Sequence, residues 1–118
     1  MKATSKENIL WKYKEKDEFI YSQLQNILTS QPFNKILEYE NGDIYIGTSR
    51  NKKRNGFGYY LYVNIKTIYQ GQWNDNTKNG YGTLYNQKEV IYSGRHITFL
   101  CRPLCKHFFF YTNMANLL

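Results

Sequence analysis

Acidic side chains are scarce in this chain. Nine Asp and Glu stand against sixteen Lys and Arg in 118 residues, for a net charge of +7. The surplus is spread out, at about +1 over residues 1–38, +3 over 39–94 and +3 over 95–118. Such a balance suits a solvated basic surface, or contact with an anionic partner such as a phosphoinositide surface, nucleic acid or an acidic protein tail. Cysteine is almost missing: only Cys101 and Cys105 are present. That excludes a disulfide framework and predicts free thiols in a reducing, cytoplasmic compartment. No apolar run approaches the roughly 18 residues of a membrane-spanning helix. The opening MKATSKENIL lacks the apolar core of a signal peptide. At this length the chain is one domain at most, with a modest core.

Glycine and tyrosine are present in a regular array. Residues 69–82 read YQGQWNDNTKNGYG, and residues 45–58, one step of 24 earlier, read YIGTSRNKKRNGFG. The blocks agree at Tyr45/Tyr69, Gly47/Gly71, Asn55/Asn79, Gly56/Gly80 and Gly58/Gly82. Tyr92 and Gly94 open a third block after a step of 23, so that only Gly42 of the eight glycines falls outside the array. A fixed step of this size marks a stacked-repeat architecture.

The spacing closely resembles the MORN repeat (membrane occupation and recognition nexus), whose unit opens Tyr-x-Gly, often adds an aromatic two places on, and closes Gly-x-Gly. Tyr69, Gly71, Trp73, Gly80 and Gly82 match it position for position. The Tyr45 block has Ser49 in the aromatic place, and the third block loses its closing glycines to Pro103 and Cys105. The resemblance covers roughly residues 32–94. It implies a mainly β fold of stacked antiparallel hairpins in a single-layer ribbon. It also implies protein partners at membrane–cytoskeleton junctions or in ciliary axonemes, other MORN proteins among them.

The same fold is readable from the residues. Three hairpins line up over 32–47, 56–71 and 80–94, rich in Tyr, Ile, Val and Leu. Asn41-Gly42 predicts a turn with two positive φ angles. Residues two apart in a strand share a face, so Tyr69 and Gly71 lie together, as do Gly80 and Gly82. Each glycine leaves a gap in which a neighbouring ring can lie. Phe57 and Tyr81 then point the other way and predict a second aromatic ladder with Phe33. Before the hairpins, Thr4 and Glu7 form a capping-box pattern. Ile9, Leu10, Tyr13, Ile20, Tyr21, Leu24, Ile27 and Leu28 then share one helical arc. This predicts a helix over about 5–29, interrupted near Asp17 and ended by Pro32. The organisation is therefore a helical segment at 1–31, hairpins at 32–94 and a divergent apolar tail at 95–118.

Two stretches stand out as candidate sites. The connection 48–55 carries Arg50, Lys52, Lys53 and Arg54, which together could hold a lipid phosphate or an acidic protein tail. The tail carries Phe108, Phe109 and Phe110, a candidate interface, since an apolar end exposed to water is unfavourable. His96, Cys101, Cys105 and His107 are the only possible metal set, and their spacing is not a common zinc arrangement. The tail offers no acid to orient a Cys/His pair. No enzyme, cofactor or metal site is expected. The expectation is a structural scaffold for protein–protein assembly, cytoplasmic and cytoskeletal, with a ciliary axoneme as the setting. The alternative is a peripheral module binding anionic phospholipid through residues 50–54. Nucleic acid is disfavoured because repeat aromatics should be occupied with one another. Asn, Lys, Ile, Tyr and Phe make 54 of the residues, a skew that suits an AT-rich genome of the kind ciliates carry.

Overall fold

Residues 1–30, 33 and 35–96 are described by a computed structural model. Seven antiparallel strands form one sheet in strict chain order: β1 (Lys2–Ala3), β2 (Lys35–Glu38), β3 (Ile44–Arg50), β4 (Lys53–Tyr62), β5 (Thr67–Asn74), β6 (Thr77–Asn86) and β7 (Val90–His96). Helices α1 (Lys6–Tyr13) and α2 (Glu18–Ser30) lie between β1 and β2 in sequence. The architecture is that of stacked hairpins preceded by helix, as the repeat spacing required.

The helical segment is two helices, where the stripe suggested one interrupted run. Asp17 explains the break. Its carboxylate accepts the backbone N–H of Ile20 (3.1 Å), the capping geometry that starts α2, and it also meets the Lys66 ammonium at 3.3 Å. The first cap also moves: Ser5, not Thr4, accepts the Asn8 N–H (3.1 Å). The apolar stripe itself is buried as expected. Ile9, Tyr13, Ile20, Leu24, Ile27 and Leu28 pack on Ile36, Ile44, Ile46, Tyr59, Leu61 and Ile68 of the sheet. Phe33 packs against the same core. The helices therefore cover part of one face of the sheet, and a Lys12–Glu38 ion pair at 2.7 Å ties α1 to β2.

Turn chemistry differs from the sequence reading at three places. Asn41-Gly42 is not a two-residue turn. Only Gly42 has positive φ (94°), and the Gly42 N–H bonds back to the Tyr39 carbonyl at 2.9 Å. The two-residue turns with paired positive φ are Asn51-Lys52 and Asp75-Asn76, closing the pairs Arg50/Lys53 and Asn74/Thr77. The connection 48–55 is thus mostly strand. Finally, the two glycines of each closing Gly-x-Gly do different things. At Gly56 (φ 90°) and Gly80 (φ 68°) the backbone is left-handed and the register slips. In the first unit Asn55, Gly56 and Phe57 stand against the single residue Thr48. This is a bulge, and glycine supplies its positive φ. Gly58 and Gly82 serve the second purpose, close approach of a ring.

Candidate functional site

The face turned away from the helices is an aromatic lattice. Gly47 pairs with Gly58, and Gly71 with both Gly58 and Gly82, so glycine backbones run across the ribbon. The Tyr45 ring lies over Gly58 and the Tyr69 ring over Gly82, filling the space a Cβ would need. Each hydroxyl then donates to a carbonyl three residues on, Tyr45 to Thr48 (2.7 Å) and Tyr69 to Gln72 (3.2 Å). Trp73 sits at the centre, 6% exposed. It meets Tyr45 and Tyr69 edge-on at 5.7 and 5.2 Å and Tyr60 at 5.8 Å. Tyr92 continues the row on β7 and is buried, with Gly94 paired to Gly82. Every repeat residue singled out in the sequence lies in this lattice or in its bulges.

Arg54 belongs to the lattice too. Its guanidinium lies 4.7 Å from the Trp73 ring, 5.1 Å from Tyr60 and 5.4 Å from Tyr39. It donates to the Tyr39 hydroxyl (2.8 Å) and the Asn76 carbonyl (2.9 Å). Lys78, its counterpart one repeat on, covers Tyr62 and Tyr69. The structure thus separates Arg54 from Arg50, Lys52 and Lys53, which remain exposed around the Asn51-Lys52 turn.

Burial pushes the lattice phenols up, Tyr62 to about 12 and Tyr45, Tyr69 and Tyr92 further. Tyr60 is raised by burial and then by its hydrogen bond to Asp43 (2.9 Å). A folded pKa above the unfolded value of about 10 means the folded state holds protons that the unfolded chain releases. Stability is then fully present below about pH 10 and is lost as pH rises through the folded values. Circular dichroism melts should be flat from about pH 7 to 9 and fall steeply above 10, with phenolate absorbance appearing only as the fold is lost. Reversible titration of these tyrosines near pH 10 with ellipticity intact would contradict the lattice.

The opposite face is only half covered. Helix packing reaches Tyr59, Leu61, Ile68 and Tyr85, and the Tyr85 hydroxyl meets Gln23 of α2 at 3.2 Å. Beyond them, toward the Asn51-Lys52 and Asp75-Asn76 turns, the sheet is open among the described residues. Phe57 and Tyr81 stand here on one side of the sheet, as expected, but they do not bury one another. They are 42% and 62% exposed. Phe57 leans edge-on against Tyr59 at 5.5 Å, and the Arg95 guanidinium lies 5.9 Å from the Tyr81 ring. With Gln70, Gly71, Gly82, Thr83, Ser93 and Gly94 they bound a trough of about 250 Å³. That is below the range usual for small-molecule sites and fits a single large side chain. Sequence periodicity located this pair but not its exposure, because the extent of helix cover is a tertiary property.

Among the described residues no three His, Cys, Asp or Glu gather as metal ligands, and no helix is long and apolar enough to cross a membrane. Cys101, Cys105, His107, Phe108, Phe109 and Phe110 lie outside the described residues, as does the His96 side chain.

Stacked hairpins, a tyrosine over each glycine pair and a bulge in each unit define a repeat ribbon of the MORN kind, and the MORN repeat family matches residues 45–64 and 69–87. MORN repeats mediate protein–protein or membrane interactions. The chain is also similar to MORN repeat-containing protein 3 of Xenopus laevis, 42% identical over 43 residues. That stretch is 36% of this chain and 18% of the relative, so the chain matches under a fifth of the relative's length.

Proposed function

We propose that this chain is a non-enzymatic scaffold whose MORN ribbon holds protein partners in a cytoskeletal assembly, with a ciliary axoneme as its setting. One observation carries the reading: the tyrosine lattice is closed on itself, while Phe57 and Tyr81 on the other face are left exposed. A stiff ribbon with unburied aromatics is built to take another protein. The repeat match, the resemblance to axonemal ribbons and the AT-rich composition support the setting. The apolar segment containing Phe108, Phe109 and Phe110 is proposed as a second interface, through which the chain self-associates or docks. The lipid reading retains Arg50, Lys52 and Lys53 as its exposed cations; Arg54 is committed elsewhere.

Sedimentation separates the two. The scaffold predicts that the full chain associates with protein at low and high salt, and that deletion of residues 98–118 shifts its oligomeric state. It also predicts little pelleting with phosphatidylserine or phosphoinositide vesicles. Strong vesicle binding that collapses with salt, and is abolished by reversing Arg50, Lys52 and Lys53, would favour the lipid reading.

A further inference from the structure

The open half-face has a charge as well as a shape. Phe57 and Tyr81 belong to β4 and β6, two strands apart, so their rows are separated by about 10 Å. That is the diameter of an α-helix with its side chains. On the same face the chain's own α1 and α2 already form a helical layer, which stops short of this end. Between the two rings stands Gln72 of β5, which pairs with Phe57 and whose side-chain carbonyl accepts the Tyr81 N–H at 3.0 Å. Beside it the trough is floored by glycine backbone with Gln70, Thr83 and Ser93, and Thr83 and Ser93 are hydrogen-bonded to each other at 2.8 Å. The rim is cationic. Arg95 pairs with Tyr81 across β6 and β7. Strand alternation puts Lys53 on the side of Phe57, and Arg50 pairs with Lys53. Lys52 occupies the adjoining turn, and the one acid at this end of the described sheet is Asp75.

We propose that this half-face is the docking site for an acidic amphipathic helix of a partner protein. The helix extends the layer begun by α1 and α2, with an apolar side chain in the trough and carboxylates toward Arg50, Lys52, Lys53 and Arg95. The inference rests on the scaffold reading and names the partner's chemistry. Other occupants fit less well. The chain's own residues 97–118 carry Arg102 and Lys106 and no acid, so they are mismatched in charge. Nucleic acid stacks successive bases on free ring faces, whereas Phe57 is held edge-on against Tyr59 and leaves Tyr81 as the single platform. A bilayer needs a continuous apolar surface, and here the exposed amide of Gln72 stands between the two rings.

The test places the photocrosslinker p-benzoylphenylalanine at position 57 of the full chain. A control chain carries it at position 11, where Trp11 is 78% exposed on the outer side of α1. Each is irradiated in extract of the source cells, and crosslinked peptides are sequenced by mass spectrometry. The expected result is that position 57 captures a segment of net negative charge with apolar residues three and four apart. A second expectation is that the double change Lys53→Glu and Arg95→Glu cuts this yield about tenfold, while Lys53→Arg and Arg95→Lys preserve it. Capture at position 57 of phospholipid, nucleotide, residues 97–118 or a neutral or basic segment overturns the inference. Protein captured only at position 11 overturns it as well but leaves the scaffold reading standing. No protein captured at either position overturns both.

Discussion

Trp73→Ala is expected to destabilise the fold by about 3–5 kcal/mol, the range for removing a large buried aromatic. Trp73 is the shared neighbour of the lattice. Its ring supports Tyr45, Tyr60 and Tyr69, and Arg54 stacks on it from 4.7 Å. Its indole N–H donates to the Gly58 carbonyl at 3.3 Å, joining the second unit to the first. Alanine leaves that carbonyl without its side-chain donor and opens a cavity bordered by three rings and a guanidinium. Relaxation is restricted because each tyrosine is already fixed over a glycine. Trp11→Ala is the comparison, since an exposed ring contributes within about 0.5 kcal/mol. Urea melts of the two variants should differ by most of the unfolding transition. Equal midpoints would mean that the lattice contributes little.

Gly82→Val has the second largest expected effect, a loss of about 1–3 kcal/mol from overpacking. A Cβ there would fall on the Cε1 and Cζ atoms of Tyr69. The ring cannot swing aside cheaply, because Tyr69 is fully buried against Trp73 and its hydroxyl is bonded to the Gln72 carbonyl. Gly71→Ala should also destabilise. Its Cβ would meet backbone, the Gly82 Cα at 2.5 Å and the Tyr81 carbonyl at 2.6 Å, and neither can rotate away. Thermal melts check both. A Gly82→Val protein as stable as the parent would show that the ring does not occupy that gap.

Much of this was legible in the residues. The Tyr-x-Gly and Gly-x-Gly spacing predicted that tyrosines and glycines share a face and that rings lie in the glycine gaps, because strand alternation fixes the face of every residue. The stripe from Ile9 to Leu28 predicted the helical face that meets the sheet. Three features were not legible, each for a physical reason. The first glycine of each closing pair serves a bulge, which shows only in the register across two strands. Arg54 reads as one of four cations in a loop, yet it is drawn onto Trp73 of the next unit, a contact 19 positions away that local sequence does not encode. Phe57 and Tyr81 read as a buried ladder because the spacing is periodic, whereas their exposure depends on where the helices end over the sheet. The reason given against nucleic acid, that repeat aromatics occupy one another, therefore fails for this pair. What counts against base stacking there is that Phe57 is held edge-on against Tyr59.

The aromatic residues of one face hold the ribbon together, and those of the open half-face are the ones proposed to meet a partner. The double variant Phe57→Ser with Tyr81→Ser separates these roles when melting temperature and recovery of crosslinked partner are measured on the same preparation. Exposed rings removed from the surface should leave the melting temperature within a few degrees of the parent, while partner recovery is lost. A collapse of the melting temperature, or undiminished recovery of partner, would contradict that division.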